Sequence, residues 1–120
     1  MKHSLDTTAR VGATVRIDRS NVEPTVVVTG CVTVDSSPHL RSVLFGLLDN
    51  NPGRLLVVDL SGVSHIDISG FATLLEALSS AHEHSIRLRL TGVNGQPRKL
   101  AEFAQLDEIF RALESEMEFS

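Results

Sequence analysis

Apolar positions along this chain change period several times, and the changes mark out its elements. Val11, Ala13, Val15 and Ile17 alternate with more polar neighbours, the period-two signature of a strand with one buried face. The turn-rich DRSNVEP follows and then the apolar run TVVVTG, so the first two elements read as strands and are expected to form a hairpin. Beyond them the period becomes helical. Ser36 and Ser37 stand before Pro38, a serine cap ahead of a proline in the first turn, and Leu40, Val43, Leu44, Leu47 and Leu48 recur at helical spacing until NNPG ends the pattern. Leu55, Leu56, Val57 and Val58 are continuously apolar, which suits a central strand covered on both faces better than an edge strand.

After the segment HIDISGF, Phe71, Leu74, Leu75 and Leu78 recur at i, i+3, i+4 and i+7. They give a second amphipathic helix with Glu76, Ser79 and Glu83 turned outward and either Asp67 or Ser69 as its cap. IRLRL alternates apolar and basic residues, as a strand with one wet face does, and GVNGQP turns the chain into a third helix opened by Pro97, with Leu100, Phe103 and Ala104 on its inner face. LDEIF returns to the core, and RALESEMEF reads as a short acidic terminal helix or tail. This succession of periods predicts one α/β domain over residues 11–120, preceded by an N-terminal extension at 1–10. Its sheet is expected to be mixed, with helices packed mainly on one face.

Composition narrows the picture without redirecting it. With 120 residues, 42% of them hydrophobic, the chain can bury one core and is too short for two. A formal charge of −4 supplies no overall field to attract nucleic acid or an anionic membrane, so partners are expected among proteins and small molecules. No run reaches the roughly 18 apolar residues of a membrane span, and MKHSLDTTAR lacks the apolar segment of a secretory signal. A lone cysteine, Cys31, closes no internal disulfide and is most simply a small buried residue. A cytoplasmic protein without membrane insertion is the expectation.

Candidate chemistry concentrates in HIDISGF. Asp67 and Ser69 satisfy the demand of a helix start for a cap oxygen, a role that needs no further function. Ser64, His65 and Asp67 invite a hydrolase reading, yet proximity in sequence is not triad geometry and no GxSxG elbow is present. His82 and His84 alternate near a helix end without an adequate ligand set, so no metal is expected. Arg87, Arg89, Arg98 and Lys99 are the main basic cluster, but GVNGQPRK has its glycines and lysine at the wrong spacing for a phosphate loop, leaving a solvated edge and no cofactor.

The stretch LLVVDLSGVSHIDISGFATLL resembles the signature of STAS domains, and within them of the bacterial anti-sigma factor antagonists: an apolar strand, an Asp-Leu pair, a short loop, then Asp, a small residue, Ser, Gly and an apolar helix. GCVTVDSSPHL is similar to the family's segment after the second strand, and LRLTGVNGQPRKLAEFAQLDEIF to its last strand, helix and closing segment. The likeness runs from about Val11 to Phe110. It implies a STAS-like single domain without catalytic activity. When unphosphorylated, such a domain binds an anti-sigma factor with serine kinase activity and thereby releases a sigma factor. The serine before the glycine, here Ser69, accepts the phosphate that ends binding, and a serine phosphatase would reset it.

The resemblance further implies a contact surface made of Asp67, Ile68, Ser69, Gly70 and Phe71 with Thr33, Asp35 and Ser36. Asp67 would order the loop and Gly70 would permit close approach of the kinase. Three positions depart from the family pattern: Thr33 stands where an acid is usual, with Asp35 two places on, Ile68 replaces a small polar residue, and Gln105 stands where a glycine often closes the third helix. The same resemblance admits a second role, as a non-catalytic subunit of a stress-signalling scaffold or of a bacterial lipid-transport system, in which the loop is a fixed contact.

Overall fold

The hairpin expected at the start is present and has one strand more than the pattern suggested. A computed structural model describes residues 7–10, 12–50 and 53–119, so Val11 and the Asn51–Pro52 pair lie outside the described residues. Strand β1 (Thr7–Arg10) pairs antiparallel with β2 (Ala13–Asp18), which pairs antiparallel with β3 (Thr25–Val32). Sheet pairing therefore begins within residues 1–10. Helix α1 (Ser37–Asn50), strand β4 (Leu55–Ile66), helix α2 (Ile68–Glu83) and strand β5 (Arg87–Val93) follow, then helices α3 (Gly95–Phe103) and α4 (Leu106–Ala112) and strand β6 (Glu116–Phe119).

Among the described residues the six strands lie in the order of the chain, with β3 to β6 parallel to one another. Each parallel step crosses the sheet in the same direction, and right-handed crossovers then carry the connecting helices to one face. Burial agrees with this. Val26 and Val28, Leu56, Val58 and Leu60, and Leu88 and Leu90 are fully buried, whereas the residues between them keep part of their surface. Leu40, Leu44 and Leu48 of α1 and Leu74 and Leu78 of α2 complete the core. The mixed α/β domain with helices mainly on one face is thus the observed fold.

Several details differ from the pattern reading. The run Leu55–Val58 belongs to a central strand, but Leu55 and Val57 are only half-buried because the second face has no helix layer of its own. That strand does not stop at the Asp-Leu pair: it continues through GVSH to Ile66, where a short loop was expected. In α3 the inner residues are Pro97 and Ala101, with Leu100 packed partly against the core; Phe103 is 88% exposed and Ala104 is an exposed C-cap. LDEIF does return to the core, as the body of α4 with Leu106 and Phe110 buried, while RALESEMEF, expected as a short acidic terminal helix or tail, holds only the end of α4 and then becomes strand β6. Arg89 stands opposite Glu116 in the ladder and pairs with it at 3.0 Å and with Glu118, while Arg87 reaches Glu116 at 3.1 Å, so opposite charges fasten this acidic strand to β5.

Between α3 and α4, Gln105 adopts the left-handed conformation at φ 56°, ψ 36°. This geometry suits the glycine that often closes that helix and is strained for a residue carrying a Cβ. Gln105→Gly is therefore expected to raise stability by about 0.5–1 kcal/mol, a balance of the relieved strain against glycine's greater unfolded-state freedom. Urea unfolding of the two proteins measures it.

Candidate functional site

Strands β3 and β4 end side by side, with Val32 opposite Ile66, and the candidate site is built where the chain leaves them. Asp67 is still extended, at φ −103° and ψ −176°, and its N–H donates to Val32 O at 3.1 Å, so the ladder runs one residue past the strand. Its carboxylate serves two segments: Oδ1 accepts from Gly70 N at 2.9 Å and caps α2, while Oδ2 accepts from Val34 N at 3.2 Å and holds the turn after β3. The first helical hydrogen bond, Phe71 N to Asp67 O, follows at 3.1 Å. Asp67 is the cap; Ser69 is not. Asp67→Ala is expected to cost about 1–2 kcal/mol by orphaning both N–H groups, with Asp67→Asn losing less because its amide oxygen still caps Gly70. Denaturant midpoints of the two variants test the order.

Ser69 therefore keeps its hydroxyl uncommitted. It occupies the second position of α2, half-buried, and only its carbonyl is engaged, accepting from Thr73 Oγ1 at 3.2 Å; among the described residues its Oγ has no partner. Ile68 beside it is 66% exposed, and Val34, whose N–H touches the Asp67 carboxylate, is 63% exposed. Asp35 is exposed and Thr33 half-buried, with Asp35 N donating to Thr33 Oγ1 at 3.4 Å. The surface consequently presents two apolar side chains, two carboxylates and one free hydroxyl. Val34 was not among the expected contacts; the signal for it was an apolar residue inside the otherwise polar turn TVDSSP.

Three of the expected contact residues face inward. Phe71 is 2% exposed and belongs to the core. Ser36 is 1% exposed and does not cap α1 with its side chain. Its Oγ accepts from Thr33 N and donates to Cys31 O, each at 3.0 Å, while the N–H groups of His39 and Leu40 go to its carbonyl. Gly70 is buried as well: a Cβ there would lie 2.5 Å from Ile66 Cγ1 and 2.9 Å from Val32 O. The close approach it permits is that of α2 onto the ends of β3 and β4 within the protein. Nor is Asp67–Phe71 a loop, since α2 begins at Ile68.

The competing chemistries are not assembled. The Asp67 carboxylate is occupied by two backbone N–H groups, Ser64 Oγ lies 3.4 Å from Gly30 O and 3.7 Å from Cys31 Sγ, and His65 is exposed, so no triad forms. Cys31 is half-buried instead of fully buried. His84 engages Ser80 O at 2.7 Å and approaches Asp49 at 3.7 Å, and no group of three or more metal-ligating side chains occurs among the described residues. The arginines of the basic cluster are ion-paired, Arg87 and Arg89 with Glu116 and Glu118 and Arg98 with Glu102 at 3.1 Å, while Lys99 is exposed. No helix among the described residues is long and apolar enough to cross a membrane.

Sheet order, the Asp-capped helix after β4 and the Ser-Gly pair in its first turn together define a STAS-type domain. Residues 15–114 match the family described as Mlab, STAS domain, and the chain belongs to that family. Its fold is similar to that of an anti-sigma factor antagonist from Mycobacterium paratuberculosis, with a TM-score of 0.73 at 19% identity over 82% of each chain. The anti-sigma factor antagonist SpoIIAA in its unphosphorylated form matches with a TM-score of 0.60 at 17% identity, over 82% of this chain and 96% of that one. A sulfate transporter family protein from Wolinella succinogenes matches with a TM-score of 0.64 at 18% identity, over 80% of this chain and 76% of that one. At these identities the likeness establishes the fold.

Proposed function

We propose that this domain is an anti-sigma factor antagonist that acts by binding. Unphosphorylated, it docks on a cytoplasmic anti-sigma factor with serine kinase activity and frees a sigma factor; phosphorylation of Ser69 ends the contact, and a serine phosphatase restores it. The observation that carries this reading is the uncommitted Ser69 hydroxyl. It sits in the first turn of α2, next in sequence to exposed Ile68 and two residues after Asp67, which meets the helix's need for a cap and also holds the turn bearing exposed Val34. A hydroxyl there is reachable by a bound nucleotide, and apolar residues around it suit a protein contact. In the transfer, Ser69 Oγ attacks the γ-phosphorus of ATP, its proton passes to a base of the kinase, the bond to the leaving ADP breaks, and the domain serves as the acceptor.

Purification of the tagged protein from its own cells, followed by incubation of the complex with labelled ATP and peptide mapping, tests the proposal. Label on Ser69 and copurification of an ATP-binding kinase are expected. Label elsewhere, with binding indifferent to substitution at Ser69, would overturn it. The shared fold with a transporter-family protein favours a second reading, a fixed STAS subunit of a larger assembly such as a lipid-transport system or a stress-signalling scaffold. Under it, assembly subunits copurify and Ser69 stays unlabelled.

A further inference from the structure

Strand β4 outruns its neighbour. It has 12 residues, but β5 pairs only with Leu55 to Asp59, the last pair being Asp59 with Thr91. From Gly62 to Ile66 it keeps β3 on one side, and on the other the chain has turned from β5 into α3. There a side chain takes the place of a strand. Gln96 Oε1 accepts from Ile66 N at 2.8 Å and Gln96 Nε2 donates to Ile66 O at 2.9 Å. A primary amide offers the same acceptor and donor as a peptide group, so Gln96 closes the ladder where β5 no longer reaches. Ile66 is fully buried and immediately precedes Asp67, so its backbone groups depend on protein partners.

We infer that Gln96 is a positioning residue of the Ser69 site: its amide fixes the Ile66 peptide and, through it, the Asp67 carboxylate that orients both the first turn of α2 and the Val34 turn. The inference rests on the proposed reading of Ser69 as a docking switch. β3 holds Asp67 from one side through Val32 O, and Gln96 holds the preceding residue from the other. Without the second hold, the segment carrying Ile68 and Ser69 samples orientations that a partner must reorder on binding, and affinity falls by that ordering cost. The first turn of α3, which touches no part of the candidate surface through any contact described above, thereby becomes part of the switch.

Gln96→Ala and Gln96→Glu in the full chain test this. For Gln96→Ala, amide protection at Ile66 and Gly70 is expected to fall about tenfold, while Val26 and Val58 in the core are unchanged. Affinity for the copurified kinase should fall about tenfold with it. In Gln96→Glu the ionised carboxylate still accepts from Ile66 N but repels Ile66 O, so protection at neutral pH falls only part of the way to that of alanine; as pH falls and the carboxyl protonates, it regains a donor to Ile66 O and protection returns towards wild type. Lost packing alone gives no such pH profile. Unchanged protection in Gln96→Ala overturns the inference, as does lost protection with full affinity. A wild-type protein that neither binds a kinase nor takes label at Ser69 overturns the switch reading and the inference with it, and is recognised before any Gln96 variant is made.

Discussion

Gly70→Ala is expected to destabilise the protein by about 2–3 kcal/mol, although alanine is the better helix former by about 1 kcal/mol. Position 70 lies in the first turn of α2, where the new methyl would sit 2.5 Å from Ile66 Cγ1, 2.9 Å from Val32 O and 3.0 Å from Val32 Cγ1. Neither neighbour is free to withdraw. Val32 and Ile66 are buried in the core, and Val32 O already accepts from Asp67 N, so relief requires α2 to lift away and loosen its own cap. Gly46 provides the control. It lies in α1 on the exposed side, with nothing within 4 Å of a built Cβ. Gly46→Ala should therefore gain about 0.5–1 kcal/mol from propensity alone. The same substitution in two helices thus has opposite signs, which urea unfolding resolves; a stabilising Gly70→Ala would contradict the packing of α2 on the strand ends.

Which parts of this architecture were readable in the sequence follows from how local their causes are. Helices α1 and α2 have 14 and 16 residues, and their apolar stripes repeat often enough to fix the inward face: Leu40, Leu44 and Leu48, and Phe71, Leu74 and Leu78, are all core residues. The nine residues of α3 cannot do this. With so few turns, Leu100 and Phe103 define a face as well as Pro97 and Ala101 do, and only packing against β4 decides for the latter. Strand β6 was missed for a related reason. EMEF does alternate, but its acidic half is stabilised by Arg87 and Arg89 on a strand nearly thirty residues earlier.

The site divides along the same line. That Asp67 and Ser69 open a helix was legible from their spacing ahead of an apolar stripe. Which of them caps it depends on Asp67 continuing the β3 ladder, a long-range fact set by the register of Val32 against Ile66. The inward turn of Ser36 and Gly70 depends on that register too, because Ser36 Oγ donates to Cys31 O near the end of β3 and Gly70 packs against Val32 and Ile66. The polar stretch 61–65, which the family resemblance gave as a short loop, is strand because β3 on one side and the amides of Asn94 and Gln96 on the other supply partners. Asn94 Nδ2 lies 3.5 Å from Ser61 O, and Gln96 satisfies Ile66 fully.

Ser69→Glu is expected to separate stability from binding, leaving the first almost unchanged and, under the proposed function, lowering affinity for the anti-sigma partner about 100-fold, as a charge placed against a fitted interface does. Position 69 is the second residue of α2, where a negative group meets the positive end of the helix dipole, worth about 0.3–1 kcal/mol at the surface. Asp67 beside it and Asp35 on the neighbouring turn repel the added charge and offset part of that gain, so the folded protein is expected to stay within about 0.5 kcal/mol of wild type. Binding has no such compensation. A partner surface that covers Val34, Ile68 and a neutral hydroxyl would have to desolvate a third negative group among two carboxylates, whereas Ser69→Ala removes only a hydroxyl without an internal partner and is expected to bind within about threefold of wild type. Calorimetric titration against the purified partner, beside urea unfolding of both variants, tests each half separately. Equal affinity for the two variants would remove the basis for a charge switch at Ser69, and a Glu variant that loses binding only because it unfolds would assign position 69 to the fold alone.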